Sequence, residues 1–109
     1  MTSNLDQLRI TAEHAEDREI LHLDGELDPH TAPLLKQEVD RLAEAGARQI
    51  VLDLSRLQFI DSSGLRVVIS AHRDIADRGG ELTLRSPSET AQRLLEITGL
   101  VDHITIVGS

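Results

Sequence analysis

The run Gln49-Ile50-Val51-Leu52-Asp53-Leu54 constrains the fold of this chain more than any other segment. It is nearly continuous in apolar, β-forming residues, as a central strand covered on at least one face should be. On both sides of it the hydrophobic period changes. Upstream, Leu35, Val39, Leu42 and Ala43 recur at i, i+4, i+7 and i+8, which is one face of an amphipathic helix. Its other side carries Lys36, Glu38, Asp40, Arg41 and Glu44. Downstream, Leu65, Val68, Ile69, His72, Ile75 and Ala76 form a second such face. Strands that alternate with helices imply a layered α/β domain with a partly parallel sheet.

The remaining elements fall around this centre. Leu8 to Ala12 alternates apolar and polar, as a half-buried strand does. Ile20 to Leu23 reads as a second strand ending at Asp24-Gly25, with His14 to Arg18 as the hairpin loop. Residues 25–33 read as a loop. Proline is tolerated in a helix only in its first turn, so Pro33 sets the start of the first helix, with Thr31 or His30 as N-cap. Gly46 stops that helix. Ser55 to Ile60 reads as a loop, and Asp61 opens the second helix, which Gly79-Gly80 ends. Glu81 to Arg85 is a short strand. Ser86-Pro87 starts a third helix, with Ser at the N-cap and Pro at the first helical position. Its apolar face is Ala91, Leu94, Leu95 and Thr98, and Gly99 caps it; Ile104 to Val107 is the last strand. The predicted architecture is a single α/β domain over residues 8–107, in the order β-β-α-β-α-β-α-β. It has a mixed sheet with helices mainly on one face, after a polar, flexible segment at residues 1–7.

Composition removes whole classes of function. The net charge is −8, with 11 basic and 19 acidic residues, so phosphate backbones and anionic lipid surfaces are repelled. Neither nucleic acid nor a membrane is expected as a partner. Phe59 is the only aromatic residue, which disfavours sites built on ring stacking. The absence of cysteine excludes disulfides, thiolate metal sites and Cys nucleophiles. The five histidines are dispersed at His14, His22, His30, His72 and His103, so neither a metal nor a cofactor is expected. The segments read as a cytoplasmic monomer, since no apolar stretch is long enough to span a bilayer and no signal peptide leads the chain.

The most informative junction is Asp61-Ser62-Ser63-Gly64. Asp61 is a good N-cap, which puts Ser62 and Ser63 at the first helical positions beside the positive end of the helix dipole. A phosphate on Ser62 would add about −1.5 to −2 charges, and free N–H groups at a helix start would accept it. The fold need not break; the surface beside Asp61 and Asp28 would change charge, at a cost to any interface that had accepted a hydroxyl. Gly64 removes a side chain where a partner backbone would approach. By residue chemistry alone, a plain helix cap remains the alternative reading.

The neighbourhood of that junction resembles a known family. Ile50 to Leu54 followed by Leu57-Gln58-Phe59-Ile60-Asp61-Ser62-Ser63-Gly64-Leu65 is similar to the signature region of STAS-domain anti-sigma factor antagonists. Gly25-Glu26-Leu27-Asp28 with Thr31-Ala32 resembles that family's second signature, and Gly79 to Leu82 and Leu94 to Leu100 resemble its later segments. The resemblance implies a partner-switching module. The unphosphorylated protein binds an anti-sigma factor that is also an ATP-dependent serine kinase, and the sigma factor is released. Phosphorylation of the Ser after the motif's Asp, here Ser62, ends the complex, and a metal-dependent serine phosphatase restores it. Ser63 is the less favoured acceptor. The implied partner-binding residues are Asp28, Thr31, Asp61, Ser62, Ser63, Gly64 and Arg66. Two departures from the family are Pro29, which stiffens the loop, and Arg66. Arg66 stands at i+4 from Ser62, in reach of a kinase carboxylate or of a phosphate on that serine.

Other readings are weaker. Asp53 resembles a receiver phosphoacceptor only in following an apolar strand; no acidic pair follows the first strand, and Lys36 is the only lysine. Ser62, His30 and Asp28 suggest a hydrolase, yet the Gly-x-Ser-x-Gly elbow is missing, so no catalytic residue is assigned. His30 reads as solvated and His72 as a partly buried packing residue. A STAS subunit serving as a scaffold in a sensory or lipid-transport complex, with no phospho-switch, stays as the alternative function.

Overall fold

A computed structural model of the chain describes residues 2–5 and 7–108. Among these the order is β1 (Thr2–Leu5), β2 (Leu8–Ala15), β3 (Arg18–Leu27), α1 (Ala32–Glu44), β4 (Gln49–Ile60), α2 (Ser62–Asp77), β5 (Glu81–Arg85), α3 (Glu89–Thr98), a 3-10 turn at Leu100–Asp102 and β6 (Thr105–Val107). This is the expected β-β-α-β-α-β-α-β order preceded by one more strand. The polar leading stretch supplies that strand, pairing Thr2 with Thr11 and Leu5 with Leu8 at the sheet edge.

The sheet order is β1-β2-β3-β4-β5-β6. The first two pairings are antiparallel and the last three parallel, so the sheet is mixed. From β3 to β6 the order never reverses. Right-handed crossovers then carry α1, α2 and α3 to the same face of the sheet. The burial agrees. Leu21, Leu52 and Leu84 lie side by side across β3, β4 and β5, all fully buried in the cluster that also holds Leu35, Val39, Val68, Ile75, Ala91 and Leu95 of the helices. One residue further along each strand, His22, Asp53 and Arg85 form a polar row on the opposite face.

β4 runs through Ile60, so the loop expected at Ser55–Ile60 is strand. β3 likewise continues past Gly25 to Leu27. β4 is irregular there: its register with β3 shifts between His22 and Asp24 and again between Gly25 and Glu26. With these irregularities Leu54, Leu57 and Ile60 are buried while Ser55, Arg56, Gln58 and Phe59 are exposed. Burial every third residue does not look like a strand to a period-2 search. The β2–β3 hairpin is also tighter than expected, with β2 reaching Ala15 and β3 starting at Arg18.

The helix ends follow their local chemistry. After α1, Gly46 at φ +96° lets its own N–H reach the Ala43 carbonyl while Ala47 N–H reaches Leu42. After α2, Gly79 at φ +83° repeats the arrangement with Ala76 and Ile75. α3 begins later than Ser86-Pro87. Ser86 N–H is held by the Val107 carbonyl of β6, and Ser88 is the N-cap, its hydroxyl accepting from Ala91 N–H. On α1, Glu38 is buried rather than solvated and bonds Arg41 at 3.1 Å. On α2, Ala76 is exposed; Ala71 takes its place in the core. His72 is half-buried, as a packing residue should be, with Nδ1 unpartnered among the described residues.

Candidate functional site

The site forms where two parallel strands end together. Leu27, the last residue of β3, pairs with Ile60, the last of β4. Asp28 and Asp61 each follow directly and emerge side by side, as active residues commonly do at the carboxyl ends of parallel strands. Asp61 N–H donates to the Leu27 carbonyl at 3.2 Å, which ties the two ends.

Gly64 completes that tie. A Cβ there would lie 2.7 Å from Leu27 Cγ and 3.0 Å from the Leu27 carbonyl oxygen. The glycine is required because the start of α2 lies against the end of β3. What approaches it is the chain's own Leu27, and Gly64 is buried, so it does not form part of a contact surface.

Asp61 is the N-cap of α2. Its Oδ1 accepts from Ser63 N–H at 2.9 Å and Gly64 N–H at 3.1 Å, and its carbonyl accepts from Leu65 N–H. The first-turn donors are thereby used, and only the N–H of Ser62 lacks a protein acceptor among the described residues. This narrows the expectation that free helix N–H groups would receive a phosphate to one donor, the N–H of Ser62 itself. Ser62, at the first helical position, points an unengaged hydroxyl outward; Ser63 beside it is half-buried.

Asp28 is likewise committed. Its carboxylate accepts from His30 N–H at 2.9 Å and Thr31 N–H at 3.0 Å. The Thr31 hydroxyl donates to the Glu26 carbonyl at 2.8 Å and accepts from Asp28 N–H at 2.9 Å. The Thr31 N–H bond holds the Asp28 carboxyl below its ordinary value against the opposing effect of desolvation, with help from His30 N–H, the Thr31 hydroxyl and the nearby His30 ring. Asp28 is ionised at neutral pH and fixes the loop that leads into α1. Thr31 is fully buried, so its part is internal to that loop and not a direct contact. It occupies the N-cap position of α1 without a side-chain cap bond, and Pro33 lies in the first turn.

Two neighbours extend the site. Ser62, Leu65, Arg66, Ile69, Ser70 and Arg73 line a recess of about 310 Å³ along the outer side of α2. Phe59, the only aromatic, is 44% exposed one residue before Ile60 at the rim. The sequence reading did not single it out; a lone ring in a chain otherwise built of aliphatic residues was the available signal.

Asp53 does not belong here. It lies within β4, on the bare face of the sheet, with its carboxylate 2.9 Å from Arg85 and 2.7 Å from the Ser55 hydroxyl. Burial alone would raise its carboxyl, but the two Ser55 bonds and Arg85 outweigh that and hold it below the ordinary value. A carboxylate locked in this way is a structural ion pair and not a phosphoacceptor. Among the described residues no group of three or more acidic, His or Cys side chains could hold a metal, and no helix is long and apolar enough to cross a membrane.

The STAS domain family matches residues 9–109, which is nearly the whole chain. This chain belongs to the STAS domain family. Among its relatives, the anti-sigma F factor antagonist of Paenibacillus polymyxa is 37% identical over 85% of this chain and 80% of its own length. The anti-sigma-B factor antagonist of Bacillus subtilis is also 37% identical, over 79% of this chain and 78% of its own. Among solved structures, the anti-sigma factor antagonist SpoIIAA in its unphosphorylated form superposes with a TM-score of 0.79 at 25% identity, covering 92% of this chain and 87% of that one. The same Bacillus protein in phosphorylated form gives 0.74 at 25% identity, covering 92% and 90%. The STAS domain described here therefore has the sheet and helices of anti-sigma factor antagonists.

Proposed function

We propose that this STAS domain is an anti-sigma factor antagonist switched by phosphorylation at Ser62. In the unphosphorylated state it binds an anti-sigma factor that is also a serine kinase, and the sigma factor is set free. The kinase then moves the γ-phosphoryl group of ATP to Ser62. The bond from Oγ to phosphorus forms, the bond to the β-γ bridging oxygen breaks, ADP leaves, and the hydroxyl proton passes to a base on the kinase. The new dianion beside Asp61 and Asp28 makes the interface unfavourable, because burying unmatched charge costs several kcal/mol. A serine phosphatase hydrolyses the ester and returns the hydroxyl. The surface comprises Asp28, Asp61, Ser62, Ser63 and Arg66, with Thr31 and Gly64 holding it from behind. The chain acts in the cytoplasm as a monomer and has no catalytic residue of its own.

The observation that carries this reading is the exposed Ser62 hydroxyl on a rigid mount, the start of α2 that Asp61 caps where the ends of β3 and β4 are tied together. The similarity to antagonists 37% identical, and to one protein solved in both phosphorylated and unphosphorylated forms, supports it. The test is intact mass after incubation with ATP and the anti-sigma kinases of the source organism, wild type against Ser62→Ala. One added phosphate on wild type alone is the expected result. No added phosphate while a stable complex forms would replace the switch by a scaffold role.

A further inference from the structure

The positive residues on the helices fall into two groups. On α1, Lys36 bonds Asp40 at 2.7 Å and Arg41 bonds Glu38 at 3.1 Å; on α3, Arg93 meets Glu89 at 3.5 Å. Each has a carboxylate three or four residues away. Arg66 of α2 has no carboxylate at those spacings, and Arg73 has Asp77 at i+4 without bonding it: neither arginine has an ion-pair partner among the described residues, and both are exposed. They line the same recess as Ser62, and no carboxylate lines it, in a chain whose net charge is −8. The residues four positions either side of Arg66 are Ser62 and Ser70.

We infer that a phosphate on Ser62 is captured by Arg66 of the same helix, so that Arg66 serves as a built-in phosphate receptor. This rests on Ser62 being the modified residue. Three observations lead to it. The first-turn donors after Ser62 are spent on Asp61, so of the backbone only the N–H of Ser62 itself is left for the phosphate. Residues i and i+4 face each other on a helix, and an anion N-terminal to its cation is the favourable order. Arg73, by contrast, lies eleven residues from Ser62, about 16 Å along the axis, out of bonding range. Phosphorylation thus changes the surface twice. It adds a dianion at Ser62, and it withdraws the exposed Arg66 guanidinium that a carboxylate of the partner would otherwise meet. Arg73 stays available in both states.

The test installs phosphoserine at position 62 of the full chain by genetic incorporation, which needs no kinase. The phosphate is titrated by phosphorus NMR in the Arg66, Arg66→Ala and Arg66→Lys backgrounds. A phosphoserine ordinarily takes its second proton near pH 6. With Arg66 present the midpoint should lie about half a pH unit lower than in Arg66→Ala, with Arg66→Lys recovering most of the shift. The difference should shrink at about 1 M salt, where exposed charges are screened. Coincident midpoints in Arg66 and Arg66→Ala would overturn the capture, even if a kinase were found to modify Ser62. The expected shift would support it even if no kinase were to do so.

Discussion

Carboxylates with assigned structural work stand in two places along β3 and β4, within the sheet at Asp53 and just past the strand ends at Asp28 and Asp61, and the contrast between them explains where this STAS domain is able to act. Midway along the strands, on the bare face, Asp53 is closed into a set with Arg85 and Ser55, and His22 lies 3.9 Å away. At the strand ends, Asp28 and Asp61 each use one carboxylate oxygen, Oδ1, and on it they accept from two backbone N–H groups. In the first place the cation is consumed by the carboxylate. In the second the carboxylates hold loops and a helix start, leaving a serine hydroxyl and an arginine uncommitted beside them. Carboxylates that hold structure are common to both regions; spare groups next to them mark the second.

That contrast can be broken most severely at Gly64. Gly64→Ala should destabilise the fold by about 2–3 kcal/mol, since its Cβ would press on Leu27, and urea unfolding would measure it. A near-neutral result would mean that the strand ends are not tied as described. Asp61→Ala should cost about 1–2 kcal/mol through the lost cap, with Asp61→Asn retaining most of it, read as a fall in Tm. Asp53→Asn should cost about 1 kcal/mol, and its pH dependence has a definite sign. The folded-state value of Asp53 is depressed, so its contribution is complete above the ordinary carboxylate range, near pH 4, and is lost as pH falls through the lower folded value. The gap between wild type and Asp53→Asn in an acid-unfolding series should therefore be constant at neutral pH and close below about pH 4. Ser62→Ala should change stability by less than about 0.5 kcal/mol, because its hydroxyl holds nothing in place. A loss as large as that of Asp61→Ala would make Ser62 a second structural cap and erase the contrast.

Much of this was legible in the chain itself. The aliphatic periods of α1 and α2, the apolar run of β4 and the Asp61 cap all follow from local rules, and each stands where those rules put it except for Ala76, which the α2 period placed inside and which is exposed. What the sequence did not disclose was set by pairing between distant segments. The register shifts in β3 and β4 turned Ser55–Ile60 from an apparent loop into strand. β6, arriving last, holds Ser86 and delays α3 to Glu89. At the site, Asp61 with Ser62 and Asp28 follow the two strand ends that lie together. The burial of Thr31, the Leu27 contact behind Gly64 and the exposure of Phe59 depend on which strand ends lie together, and no local pattern encodes that.

The most direct test of the account compares the affinity of an anti-sigma kinase for the chain carrying Ser62 and for the chain carrying phosphoserine at the same position. The account predicts a loss of about a hundredfold or more on phosphorylation, corresponding to roughly 2.7 kcal/mol. Equal affinity of the two forms would contradict it, and would leave Ser62 as an exposed helix start with no part in switching.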